Sequence, residues 1–138
     1  VSAAFREFDH GGDIGIEAWG SDLSSLLVNA ALGLFGLVSR GRVEPSMERA
    51  IRVSSFSAGD LVVDWLGEAL SLAGIHGEVY VGARIDRAGE WFAEGVLLGE
   101  KADASKHEFR FDVKAATYHR LAVERNEDGY HARVIFDL

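Results

Sequence analysis

The chain has 138 residues, 48% of them hydrophobic, which is enough for one compact domain with its own core. A formal charge of −8, with no Lys/Arg run, argues against strong direct binding of nucleic acid through its own surface. There is no cysteine, so disulfides, thiolate zinc sites and cysteine nucleophiles are excluded.

No basic-then-apolar leader pattern stands at the amino-terminal end, and the longest apolar stretch, Leu26 to Val38, is broken by Asn29, Gly33 and Gly36. A soluble, cytoplasmic protein with no membrane span is expected. No linker, low-complexity segment or internal repeat divides residues 1–138, which read as a single domain.

Phe5 to Phe8 reads as a short first strand, followed by turn chemistry over Asp9 to Gly12. Ile14, Ile16 and Ala18 alternate with Gly15 and Glu17, predicting a half-buried strand to Trp19. Ser21 then stands as the cap of a helix whose apolar positions are Leu23, Leu26, Leu27, Ala30, Ala31, Leu34 and Phe35, one stripe at helical period. Arg40 to Met47 carries the only proline, Pro45, and reads as a loop; Ala50 to Phe56 reads as a strand. A second helix is expected from about Asp60, with Val62, Trp65, Leu66, Ala69 and Ala73 on one face and Gly74 as its stop.

From Glu78 the period becomes two. Val79, Val81, Ala83 and Ile85, then Ala93 to Leu98, then Phe109, Phe111 and Val113 predict strands, as do Leu121 to Glu124 and Tyr130 to Phe136 about an Asn126-Glu127-Asp128-Gly129 hairpin turn. The pattern implies an α+β domain, a mostly antiparallel β-sheet with two main amphipathic helices.

Asp13, between a glycine pair and an apolar strand, places a carboxylate at a strand mouth. There it either bonds turn amides or binds a hard divalent cation through oxygen. Asp137 and the Leu138 α-carboxylate add two more oxygen donors. The Val134-Ile135-Phe136 run before them predicts a strand held in the sheet to its last residues. Lys114 follows an apolar face and points away from Val113. It is either a solvated strand lysine or an anchor for a phosphate, for Asp13 or for Asp137. His10 and His119 are the best placed of five histidines, but their spacing makes no zinc signature; His10 either orders the Asp13 turn or, like His119, supports a site from around the metal. Neither a Gly-x-Ser-x-Gly elbow nor a phosphate-cradling Gly-x-x-x-x-Gly-Lys-Ser/Thr loop is present.

At these segments the chain resembles the archease family. The family's marks are Phe-x-x-His-Thr-Ala-Asp-Ile-Gly-Ile, Val-Asp-Trp-Leu-x-Glu-x-Leu, Val-Lys-Ala-x-Thr-Tyr-His and a terminal Ile-Phe-Asp-aliphatic. Here they stand as Phe8 to Ile16, with Gly11-Gly12 in place of Thr-Ala, then Val63 to Leu70, Val113 to His119, and Ile135 to Leu138. Asn29 to Phe35 is similar to a further helix of the family. The likeness spans nearly the whole chain in order.

What the resemblance implies is a helper protein rather than an enzyme. Archeases activate the GTP-dependent tRNA-splicing RNA ligase, speed guanylylation of its active-site histidine and sustain multiple-turnover joining of 2′,3′-cyclic or 3′-phosphate ends to 5′-hydroxyl RNA. The family's functional residues map onto Asp13, Lys114 and Asp137, and its metal ligands onto Asp13, Asp137 and Leu138. The ion is divalent: calcium, or manganese or magnesium. Two rivals stand beside this reading. One is a stand-alone metal-dependent phosphoester hydrolase with His10 or His119 as base, and the other a non-catalytic binding module.

Overall fold

The computed structural model describes residues 4–138. A first hairpin pairs β1 (Phe5–His10) with β2 (Asp13–Gly20). The Gly11-Gly12 turn between them has φ of 61° and 87°, and positive φ at both central residues is the requirement of a tight type I′ hairpin. The expected turn over Asp9 to Gly12 therefore shrinks to two residues, because glycine lets both strands run up to it.

The first helix, α1 (Leu23–Val38), begins one residue later than a Ser21 cap would allow. Asp22 takes the cap and its Oδ1 accepts the Ser25 N–H at 2.7 Å. Beyond the predicted stripe, α1 also buries Gly33 and Leu37, because it is packed against both β2 and the later strand β5 (Glu78–Ala88). After α1 come β3 (Ser39–Arg40) and β4 (Met47–Ser54). Here β4 begins and ends earlier than the expected 50–56 segment, and Phe56 falls outside it, 87% exposed. The second helix, α2 (Ala58–His76), starts at a Ser57 cap whose hydroxyl accepts the Asp60 N–H at 3.0 Å. It runs through Gly74 and stops at Gly77, the residue that turns left-handed.

The remaining strands are β6 (Phe92–Lys101), β7 (Glu108–Phe109), β8 (Ala115–Ala116), β9 (Ala122–Asn126) and β10 (Gly129–Asp137). Every pairing among the described residues is antiparallel. One sheet has the order β1-β2-β10-β8, with β9 also on β10; a second has the order β4-β6-β5; β3 and β7 form a short ladder of their own. The α+β expectation holds.

Two strand readings are corrected. In β5, a bulge between Tyr80 and Gly82 breaks the alternation, so Val79 and Tyr80 are both buried while Val81 is 41% exposed. The Phe109-Phe111-Val113 stretch is not a continuous strand. The Arg110 and Phe111 N–H groups instead donate to Val38 O and Leu37 O at 3.0 and 3.1 Å, taking up carbonyls at the α1 end. Phe109 consequently lies 46% exposed.

One core joins the two sheets and both helices: Ile16, Ala18 and Val134 from the first sheet, Ile51 and Leu97 from the second, Leu26 and Leu34 from α1, Leu66 and Trp65 from α2. Trp65 is fully buried, and its indole N–H donates to Leu27 O at 3.0 Å, which ties α2 to α1. No helix among the described residues is long and apolar enough to cross a membrane.

Candidate functional site

The register of the first sheet assembles the site. His10 pairs with Asp13 across β1 and β2, Ile14 pairs with Phe136 across β2 and β10, and Asp137 pairs with Ala115 across β10 and β8. The β2–β10 ladder ends at the Ile14–Phe136 pair, and Asp13 and Asp137 are the next residue on each strand. His10, Asp13, Asp137 and Ala115 thus form one row at the sheet's end, and residues opposite each other in such a row share a face.

The β8–β9 loop closes one side of this row. Thr117 clamps to β10 twice, its N–H and its hydroxyl both donating to Ile135 O at 3.0 and 2.8 Å. The His119 N–H donates to the Thr117 hydroxyl at 3.2 Å, and His119 Nε2 comes within 3.9 Å of Asp13 Oδ2. The Asp13 side chain is 40% exposed, open to a ligand while anchored at its base.

Asp13 and His119 therefore meet, with His10 opposite Asp13 in the ladder and exposed, and Asp137 one residue past the end of the β2–β10 ladder. Leu138 follows Asp137 and is 48% exposed. Lys114 is attached to the site only through its main chain, its N–H donating to Asp137 O at 2.8 Å. Its ammonium stands 3.9 Å from Asp112 Oδ2 and lines a neighbouring groove of about 550 Å³ with Arg52, Ser54, Asp64 and Glu68. It does not pair with Asp13 or Asp137.

The donors are hard oxygens, a chemistry that suits calcium, magnesium or manganese. Among the described residues, no three His, Asp or Glu side chains gather as a metal cluster. Two carboxylates fall short of the six to eight oxygens that calcium takes, so an ion here would complete its shell from Leu138 main-chain oxygens, water or a partner.

Sequence reasoning missed Tyr118 and Asp60. The Tyr118 hydroxyl donates to Asp60 Oδ1 at 2.8 Å, which holds the phenol above its usual pKa and fastens the His119 loop to the first turn of α2. Their separation of 58 positions in the chain left no local signal for the contact.

A two-sheet α+β domain with aspartates at the neighbouring ends of two central strands is the class that fold and site define. A sequence profile of the archease protein family matches residues 5–138. The chain is 31% identical to the protein archease of Methanosarcina acetivorans, over 97% of this chain and 95% of that one. It is 33% identical to the protein archease of Saccharolobus islandicus, over 98% and 99%. Its fold is similar to the solution structure of Methanobacterium thermoautotrophicum protein 1598, with a TM-score of 0.79 and 31% identity over 98% of this chain and 99% of that one. A crystal structure from Thermotoga maritima, described as an archease and possible chaperone, shares the fold at TM-score 0.69 and 22% identity over 96% of each chain. This chain belongs to the archease family.

Proposed function

We propose that this chain is an accessory protein, not itself an enzyme, that activates a GTP-dependent tRNA-splicing RNA ligase in the cytoplasm. It promotes guanylylation of the ligase histidine and repeated joining of 2′,3′-cyclic or 3′-phosphate ends to 5′-hydroxyl RNA. Family membership supports the reading. The observation that supports it is the register that ends the β2–β10 ladder one residue before both Asp13 and Asp137, at one exposed end of the sheet.

In this proposal Asp13, Asp137 and the Leu138 main-chain oxygens hold a divalent ion. Such an ion, when bound, supplies charge compensation for phosphate oxygens. The chain's own part is positioning. β2 and β10 carry the two carboxylates at neighbouring strand ends, the Lys114 N–H steadies the Asp137 carbonyl, and Thr117 holds His119 against Asp13. The Lys114 ammonium, 66% exposed on a flexible stem, is free to swing to a phosphate.

The test is multiple-turnover RNA ligation by the cognate ligase with GTP and manganese, alongside calorimetric titration of calcium and manganese into the chain alone. Acceleration by the wild type is expected. Asp13→Ala and Asp137→Ala should keep the circular dichroism spectrum and lose both acceleration and ion binding. Wild-type acceleration in both variants would remove the carboxylate site from the proposal.

A further inference from the structure

The link between β4 and α2 holds one large apolar side chain out into water on a rigid base. Phe56 is 87% exposed, yet both of its neighbours are pinned. The Ser55 N–H donates to Trp91 O at 2.9 Å, and the Ser55 hydroxyl donates to Asp64 Oδ2 at 2.6 Å. On the other side, Ser57 caps α2. The flanking loops bring two more exposed aromatics, Trp91 at 42% and Tyr118 at 58%. Hydrogen bonds run without a gap from Trp91 through Ser55 and Asp64, and again from Ser57 through Asp60 to Tyr118, whose neighbour His119 faces Asp13.

Charge says what such a patch would meet. Among the described residues, Asp60 and Asp64 accept side-chain hydrogen bonds only from hydroxyls, those of Tyr118, Ser57 and Ser55, and neither forms a salt bridge. Of the nearby cations, Arg52 and Arg87 are drawn to Glu94 at 3.5 and 3.9 Å, and Lys114, across the groove from Asp64, stands 3.9 Å from Asp112. An exposed aromatic beside two carboxylates without a salt bridge, on a chain of net charge −8, fits a protein surface with an apolar socket rimmed by Lys and Arg.

We propose that Phe56, with Trp91 and Tyr118 beside it, is the docking anchor for a protein partner whose contact surface is an apolar socket with a basic rim. The assignment rests on the reading above, under which that partner is the ligase. Docking there would turn the Asp13–Asp137 row toward the ligase through the Tyr118–His119 loop. A backbone already held on both sides leaves only the ring's own rotamers to be ordered on binding, which favours Phe56 as an anchor.

The experiment is biolayer interferometry of the chain on immobilised cognate ligase at low and high salt, with light scattering of the chain alone. Phe56→Ser, at an exposed link position, should keep its melting temperature and lose at least about tenfold in affinity, as hot-spot truncations do. Wild-type binding should weaken as salt rises. Asp13→Ala should bind within about twofold of wild type while failing to accelerate ligation, because it removes the chemistry and leaves the anchor. Wild-type affinity in Phe56→Ser would overturn the docking assignment and leave the ligase reading standing. So would a Phe56-dependent dimer, or Phe56-dependent binding to RNA, with ligase affinity unchanged. A wild type that neither binds nor accelerates the ligase would overturn both.

Discussion

Asp13 and Asp137 are the next residues past the last β2–β10 pair, and the His119 Nε2 stands 3.9 Å from Asp13 Oδ2. Like charges directly opposite in a sheet cost roughly 0.2–1 kcal/mol, so this row is set against stability in the metal-free chain. Asp13→Asn should therefore raise the melting temperature by about 2 °C in chelator, as about half a kcal/mol would for a domain of this size. The same variant should lose the stabilisation that added divalent ion gives the wild type. Calorimetric scans with and without ion check both; a variant that melts lower in chelator would mean that Asp13 serves mainly to hold its turn. Gly15, two residues on, works differently. A Cβ there would stand 2.3 Å from Val134 O and 2.4 Å from Phe8 Cζ, so Gly15→Ala must push main chain away from main chain between the very strands that align the two carboxylates. Urea unfolding should show a loss of about 2–3 kcal/mol. The place of Asp13 at a strand mouth was legible in its position between a glycine pair and an apolar strand. Its partner across the sheet was not, because 124 positions of chain separate Asp13 from Asp137 and only strand order brings them together.

The helices were the most readable elements, since a 3.6-residue stripe long enough to bury a face survives any arrangement of neighbours. Their ends were less so. Ser21 and Asp22 are both good caps in adjacent positions, and the choice of Asp22 depends on where α1 meets the sheet. Ser57→Ala should cost about 1 kcal/mol through loss of the α2 cap, and because Ser57 also donates to Asp60, the Tyr118 contact should loosen with it. Hydrogen exchange over residues 117–121 would report that loosening; unchanged protection there would uncouple the cap from the loop. The Gly11-Gly12 turn also belongs to this scale. Its left-handed φ values suit glycine, and the Thr-Ala pair expected of the family would be strained in the same two-residue turn. Installing Gly11→Thr with Gly12→Ala should lower stability by about 2 kcal/mol in denaturant titration, unless the hairpin opens into a longer loop. The β5 bulge had no signature in the alternation of Val79 to Ile85, because an inserted residue shifts the faces without changing residue type.

Across the whole molecule, two ionic knots, one between the second sheet and the loop after it and one within the sheet, set the acid limb of stability. The Lys106 ammonium, then the Glu44 N–H and the His107 ring, hold the Glu100 carboxyl down from 4.5 to about 2. His107 accepts the Asp103 N–H on Nδ1 at 3.0 Å, so its proton sits on Nε2 and points to Glu100, also at 3.0 Å. In the second sheet, Arg49 holds Glu78 below the usual carboxylate range. A carboxyl depressed in the folded state favours folding above its unfolded pKa and loses that contribution as protons bind. Stability should therefore fall as pH drops from about 4.5 toward 2, and Glu100→Gln should flatten that slope in urea midpoints measured across the range. An equal slope in wild type and variant would place acid sensitivity elsewhere. Period and turn chemistry, which act over a few residues, were enough to define two helices, a set of hairpins and the α+β class, and the ordered motifs pointed to the archease family. What stands beside what was left to folding: β10 between β2 and β8, the acidic row this makes, the separate groove that takes Lys114, and the exposure of Phe56. These are contacts between segments far apart in the chain, chosen by the packing of one shared core, and no local pattern encodes them.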